Sequence, residues 1–63
     1  MKYASMQTII WRLRETMKVE ELSETLEVDV KTIYRWENGI SKPSYSNFLR
    51  VVELCNRRGV RLD

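Results

Sequence analysis

Residues 27–39, EVDVKTIYRWENG, carry two helical stripes on opposite sides of one segment. Val28, Ile33 and Trp36 recur at the spacing of a buried helix face. The second stripe is polar and consists of Lys31, Tyr34, Arg35 and Asn38. The segment therefore predicts a helix that buries one side and exposes a cationic, aromatic ridge.

Residues at both ends of this segment are typical helix caps. Asp29 can act as the N-cap, because its carboxylate can accept from the free amides of the first turn. Val28, one residue earlier, can pack on Ile33 as a hydrophobic staple. Gly39 can adopt the left-handed conformation that follows many helices, so we expect the helix to stop at Asn38.

The flanking sequence predicts three more helices. Apolar residues at helical spacing indicate a first helix over about residues 4–16, a short second helix after Lys18, and a fourth over about residues 45–57. These apolar residues are Met6, Ile9, Ile10, Leu13 and Met17; then Val19, Leu22 and Leu26; then Phe48, Val51, Val52 and Cys55. The loop of residues 40–43 ends in Pro43, Gly59 closes the fourth helix, and Val60 and Leu62 are expected to fold back over the core. We predict one all-α domain over residues 1–63.

The composition excludes several classes of function. The chain of 63 residues has one cysteine and no histidine, which leaves no disulfide framework, no plausible zinc site and no acid, base and nucleophile set. The longest candidate apolar run, IIW, is too short for a signal peptide or a membrane span. We expect a cytoplasmic protein that is not an enzyme, needs no cofactor and does not enter a membrane.

Charge is distributed unevenly along the chain. Residues 1–29 contain four basic and six acidic side chains, whereas residues 30–63 contain seven basic and three acidic ones. The net charge is only +2, but the basic excess lies in the half that contains the exposed ridge. This asymmetry favours a polyanionic partner for the second half.

The second and third predicted helices are separated by very few residues. Such a short connection, from Leu26 to Asp29, forces the two helices to meet at a steep angle, which is the helix-turn-helix pattern, here over about residues 18–38. In that unit the second helix presents a ridge narrow enough for the major groove of DNA. The exposed polar stripe is therefore interpreted as a DNA-reading surface.

The run from Ile10 to Val60 also resembles the phage repressor/Cro family of helix-turn-helix domains. The likeness rests on EEL at residues 20–22, Leu26, Val28, Thr32, Ile33, Glu37, Asn38, Gly39 and Pro43. The resemblance implies a small lambda repressor-like domain of four to five helices that binds double-stranded DNA. It further implies a repressor or autoregulator that reads an inverted repeat as a homodimer, at least on DNA, and no small-molecule ligand is expected.

The resemblance also assigns roles to individual positions. Base contacts are implied for Val30, Lys31 and Arg35, and Tyr34 on the same ridge is predicted to contact bases with them. Phosphate contacts are implied for Lys18, Thr32, Asn38, Lys42 and Ser44. Arg and Lys suit the O6 and N7 acceptors of guanine, and Val30 suits a thymine methyl group. Glu37 falls on the buried stripe and needs a cationic partner; the family position that pairs with it corresponds to Arg12, so an Arg12–Glu37 salt bridge is predicted.

Three positions depart from the family pattern. Val19 stands where the family commonly has a glutamine that meets a phosphate, and Ser23 replaces a small alanine at the helix crossing. Glu27 occupies the usual turn glycine, so a residue with a Cβ would need a left-handed backbone. The acidic side of the second helix must also point away from DNA.

Less specific interpretations stand beside these. The polar ridge could be a solvated face, and Asn38 could be only a C-cap. Trp36 and Cys55 are predicted to lie in the core. Trp11 is off the buried stripe and either packs on the C-terminal segment, which we favour, or marks a protein contact. Arg57, Arg58 and Arg61 suit the negative end of the fourth helix, although they could also flank a dimer interface.

The competing function is a protein-interaction module of the same fold, such as an antirepressor or a toxin-binding antitoxin.

Overall fold

The computed structural model describes residues 2–63 and contains four α-helices, with no strand in that range. Met1, the first residue of the predicted domain span, lies outside the described residues. The helices are α1 (Met6–Arg14), α2 (Val19–Leu26), α3 (Val30–Glu37) and α4 (Tyr45–Arg58). The predicted all-α fold is therefore confirmed.

Helix α1 is shorter than the predicted range of residues 4–16. Its N-cap is Ser5, whose Oγ accepts from the backbone N of Thr8 at 3.2 Å. At the other end, Glu15 and Thr16 form a turn that bonds back to the carbonyls of Arg12 and Leu13. The apolar periodicity continues past the C-terminal end of the helix to Met17, which explains the overestimate at that end, while the Ser5 cap places the start later than predicted.

One hydrophobic core holds the helices together. Helix α1 packs on α2 and α3, and α2 also packs on α3 and α4. The buried side chains are Ile9, Ile10, Leu13, Met17, Val19, Leu22, Leu26, Ile33, Trp36, Val51, Leu54 and Cys55. Trp36 and Cys55 are core residues, as predicted, and burial raises the pKa of the Cys55 thiol above its ordinary value of 9.0.

The buried face of α4 differs in part from its prediction. Leu54, which the predicted stripe omitted, is buried beside Val51 and Cys55. Phe48 is half-buried and meets Tyr3 edge to face, with ring centroids 5.6 Å apart. The burial centre of α4 is thus rotated toward Leu54, and Phe48 packs under the N-terminal segment.

The C-terminal segment folds back over the core, as predicted. Val60 and Leu62 pack against the core cluster, and the carbonyl of Leu62 accepts from the backbone N of Ala4 at 2.7 Å. Arg12 Nη1 donates to the carbonyls of Arg61 and Asp63 at 3.0 and 3.2 Å. The two ends of the described chain are therefore bonded to each other beside α1.

Candidate nucleic-acid interface

Capping bonds define both ends of α3. Asp29 is the N-cap, and its Oδ1 accepts from the backbone N of Lys31 at 2.9 Å. Asn38 is the C-cap, and Gly39 follows with a φ of 71°. The predicted start and stop of this helix are both confirmed, because the capping signals are local to the sequence.

The two sides of α3 differ sharply in exposure. Ile33 and Trp36 are 0% and 2% exposed, whereas Lys31 and Arg35 are exposed and Tyr34 is 42% exposed. Within residues 2–63, neither Lys31 nor Arg35 forms an ion pair. The cationic ridge is therefore free of carboxylate partners and available for an external anion or acceptor.

Val30 and Thr32 lie at the margins of this ridge. Val30 is half-buried and packs against the core, so only part of its side chain is open to a partner. Thr32 is also half-buried, and its backbone N donates to the carbonyl of Asp29 in the first turn. Both residues stabilise the start of α3 as well as bordering the exposed surface.

The turn between α2 and α3 is built around a left-handed glutamate. Glu27 has φ 57° and ψ 44°, the conformation expected if this position retains the usual turn geometry without glycine. Ser23 Oγ donates to the carbonyl of Val28 at 2.6 Å, and Arg50 Nη1 donates to the carbonyl of Leu26 at 3.2 Å. The guanidinium of Arg50 also lies 3.8 Å from Glu27 Oε2. Ser23 from α2 and Arg50 from α4 thus hydrogen-bond to the backbone carbonyls on either side of Glu27.

The predicted Arg12–Glu37 salt bridge is wrong. Glu37 Oε1 accepts from Arg14 Nη1 at 2.5 Å, while Arg12 bonds to the C-terminal segment. Arg14 stands four residues after Ile10 and next to Leu13, so it borders the buried face of α1 that packs on α3. The need for a cationic partner was correctly inferred, and the helical position of Arg14 relative to Ile10 was the signal that could have identified it.

Four of the predicted phosphate-contacting residues, Lys18, Asn38, Lys42 and Ser44, lie at helix ends or in the loop before α4. Lys18 is the exposed N-cap of α2 and forms no side-chain capping bond. Ser44 is the N-cap of α4, where its Oγ accepts from the backbone N of Asn47 at 3.3 Å. Lys42 is exposed in the preceding loop. Asn38 Nδ2 donates to the carbonyl of Tyr34 at 2.7 Å, so Asn38 has a structural role at the end of α3.

Comparison with protein families matches residues 10–61 to the helix-turn-helix family that includes the Cro-type regulators. The chain belongs to this family. The match covers the four helices except the start of α1, and it identifies a lambda repressor-like helix-turn-helix domain. The family is one of DNA-binding regulators and is typically non-enzymatic. Searches of curated proteins and of solved structures found no match.

A groove of about 560 Å³ borders one flank of α3 in this helix-turn-helix domain. Its walls are formed by residues 14–20 and, from α3, by Tyr34. The guanidinium carbon of Arg14 lies 5.7 Å from the centroid of the Tyr34 ring. Arg14 therefore contacts two α3 side chains at once, Tyr34 and Glu37, and was not identified as a site residue from the sequence.

The acidic side chains of α2 are exposed. Glu20, Glu21 and Glu24 have no salt-bridge partner within the part of the chain that the structure describes. Glu20 lines the same groove as Lys18 and Tyr34, whereas Glu21 and Glu24 do not line it. Of these three carboxylates, Glu20 is therefore the one that a ligand in this groove would meet.

The described residues contain neither a helix that could cross a membrane nor a cluster of metal ligands. None of the helices in residues 2–63 has the length and apolar character that crossing a membrane requires. The same residues contain no group of three or more metal-ligating side chains.

Proposed function

We propose that this helix-turn-helix domain binds a specific double-stranded DNA site with α3 in the major groove and acts as a transcriptional repressor or autoregulator. The observation that carries the proposal is the cationic ridge of α3. Lys31 and Arg35 are exposed and have no ion-pair partner in residues 2–63, while Ile33 and Trp36 anchor the opposite side in the core. Membership of a family of DNA-binding regulators supports the same conclusion.

Lys31 and Arg35 are the proposed readers of guanine. Their spacing of four residues puts both on one side of α3, within the span of a few base pairs. The planar guanidinium of Arg35 can donate to O6 and N7 together, which discriminates against the wrong base by roughly 1–3 kcal/mol. The exposed part of Val30 suits a thymine methyl group at the start of the helix.

Phosphate contacts are proposed for Lys18, Thr32, Asn38, Lys42 and Ser44. Lys18 and Lys42 carry the charge that would release counterions from DNA. Ser44, Asn38 and Thr32 are neutral donors at helix ends, and the first two also hold caps. Such contacts would position the domain on the duplex without reading its sequence.

We further propose that two copies bind an inverted repeat, at least when both are on DNA. A two-fold symmetric pair would place the two α3 helices in major grooves about one helical turn, roughly 34–36 Å, apart. The pairing follows from how helix-turn-helix regulators commonly read DNA. A site selected from random duplexes tests it directly, because a recovered palindrome reports the symmetry.

Selection of bound duplexes from a random pool, followed by fluorescence anisotropy, tests the main proposal. Arg35→Ala should weaken binding to the selected site by about tenfold to a hundredfold and relax the preference at one base pair. Arg57→Ala is the matched control, because Arg57 is exposed at the end of α4 and pairs with Glu53 at 3.7 Å. Equal affinity of the wild type and Arg35→Ala would refute the assignment of α3 as the reading helix.

The second candidate is a protein-interaction module of the same fold, such as an antirepressor or antitoxin. The observation that favours it is the exposure of large apolar side chains, among them Trp11 at 53%, Ile40 at 73% and Tyr45 at 77%. Affinity for duplex DNA that falls steeply with salt concentration supports the first candidate. If no duplex is selected, the second candidate takes precedence.

A further inference from the structure

Tyr34 lies on the flank of α3 that faces the end of α1 and the start of α2. The guanidinium of Arg14 lies over its ring, and Tyr34 lines the 560 Å³ groove that Lys18 also lines. By contrast, neither Lys31 nor Arg35 lines this groove. Tyr34 is therefore directed to one side of the ridge and not along its crest.

The width of the major groove determines which part of DNA a side chain on the flank of α3 can reach. An α-helix with its side chains is about 10–12 Å across, and the major groove is about 12 Å wide. A helix that enters the groove nearly fills it, so residues on its crest meet base edges and residues on its flanks meet the sugar-phosphate walls. Tyr34 is about 100° around the helix from Arg35, which puts it on a flank when Arg35 reads bases.

We propose that the Tyr34 hydroxyl donates to a DNA phosphate seated in this groove, instead of reading a base edge as the sequence predicted. The inference rests on the proposed function and refines it. A phenolic O–H is a neutral donor, and a hydrogen bond to an ionised phosphate is stronger than one between neutral groups. Lys18, which lines the same groove, supplies a positive charge to the same phosphate or to its neighbour.

Arg14 is the positioning residue for Tyr34. Its charge is compensated by Glu37 Oε1 at 2.5 Å, so it is not itself assigned to the phosphate. The same guanidinium lies over the Tyr34 ring and restricts where the hydroxyl can point. One side chain of α1 thereby fixes both the end of α3, through Glu37, and the proposed phosphate donor.

Two carboxylates also border the groove, and replacing them should have the opposite effect on DNA affinity from replacing Tyr34. Glu15 and Glu20 line it together with Lys18. A phosphate in the groove would be repelled by both, so neutralising either one should strengthen binding. Glu24 is also exposed on α2 but does not line the groove, which makes Glu24→Gln the matched control for Glu20→Gln.

The experiment measures wild type and Tyr34→Phe on a selected duplex, on its single-base-pair variants and on duplexes with one methylphosphonate each. Tyr34→Phe should lose about tenfold in affinity on every base-pair variant alike, because a charge-assisted hydrogen bond is removed. At one methylphosphonate position the two proteins should bind equally. Lys18→Ala should likewise bind as the wild type does when the same or the adjoining phosphate is replaced, and it alone should reduce the salt slope by about one.

Two further variants complete the test. The double variant Arg14→Met, Glu37→Gln is first checked for folding by circular dichroism. Its affinity, like that of Tyr34→Phe, should not fall further when that one phosphate is replaced by methylphosphonate. It should retain the wild-type base preferences. Glu20→Gln should tighten binding more than Glu24→Gln. A changed base preference in Tyr34→Phe, or no coupling to any phosphate, would overturn the inference. If the wild type selects no duplex at all, the proposed function fails and this inference fails with it.

Discussion

Replacing Arg14 with alanine should destabilise the domain by about 2 kcal/mol. The variant leaves the Glu37 carboxylate without the donor that it contacts at 2.5 Å. The side chains of Arg14 and Glu37 are 31% and 18% exposed, between the fully exposed pairs and the fully buried ones. Exposed pairs contribute about 0–1 kcal/mol, and breaking a buried pair costs about 3–5 kcal/mol. The intermediate loss of about 2 kcal/mol in the free energy of unfolding corresponds to a melting temperature lower by roughly 8–16 °C for a domain of this size.

Arg12→Ala is the matched control for this change. Arg12 is two residues away on the same helix and is also partly buried, but it donates to the backbone carbonyls of Arg61 and Asp63. Its loss removes hydrogen bonds on the surface and should cost about 1 kcal/mol. Glu37→Gln combined with each arginine variant completes two double-mutant cycles.

Urea unfolding followed by far-ultraviolet circular dichroism gives the required free energies. The coupling energy between Arg14 and Glu37 should be about 1–2 kcal/mol, and that between Arg12 and Glu37 should be close to zero. The unfolding slope should be unchanged in the single variants, because the surface exposed on unfolding is nearly the same. A larger coupling for Arg12 than for Arg14 would refute the pairing.

Three other changes follow from the backbone and the core. Glu27→Gly should stabilise the domain by about 1 kcal/mol in urea unfolding, since it relieves a left-handed residue with φ 57°; Glu27→Val should do the reverse. Gly39→Ala should cost more stability than Gly59→Ala, because both glycines have positive φ but only the Cβ at 39 meets the Gln7 amide at 3.2 Å; equal losses would contradict this. The native Cys55 thiol should react slowly with a thiol reagent at pH 8. Because its pKa is raised by burial, the thiol keeps its proton to a higher pH in the folded state than in the unfolded state. Stability should therefore fall as the pH rises above 9.0, with a shallower fall in Cys55→Ala.

The local features of the fold were predictable from the sequence. The Asp29 cap, the stop at Asn38 and the burial of Ile33 and Trp36 all depend on residues within one or two helical turns of each other. The same is true of α4, which begins at Tyr45 as expected after Pro43 and Ser44. Capping and periodicity are short-range effects, and short-range effects can be read from a single sequence.

Features that depend on the rotation of one helix against another were less predictable. The partner of Glu37 was assigned to Arg12 by family position, whereas the packing of α1 on α3 brings Arg14 to that carboxylate. The burial of Leu54 in place of a central Phe48 is a similar rotation in α4. A single sequence indicates which apolar residues share a helix face, but not how that helix is rotated against its neighbours. The choice between Arg12 and Arg14 as the partner of Glu37 depends on that rotation.

The orientation of α3 depends on such long-range contacts at both of its ends. At its start, the turn is held by Ser23 bonding to the carbonyl of Val28 and by Arg50 bonding to that of Leu26. At its end, Glu37 is held by Arg14 from α1. Glu27 adopts a left-handed backbone that a glycine would adopt without strain. The turn conformation that leads into α3 is therefore less stable with Glu27 than it would be with glycine. The contacts from α1, α2 and α4 offset that strain, and they keep the crest of Lys31 and Arg35 directed outward while Tyr34 is drawn toward α1. The chemistry of the ridge is thus encoded locally, but the orientation of α3 depends on contacts between residues far apart in the chain, such as Arg50 with Leu26, 24 positions apart, and Arg14 with Glu37, 23 positions apart.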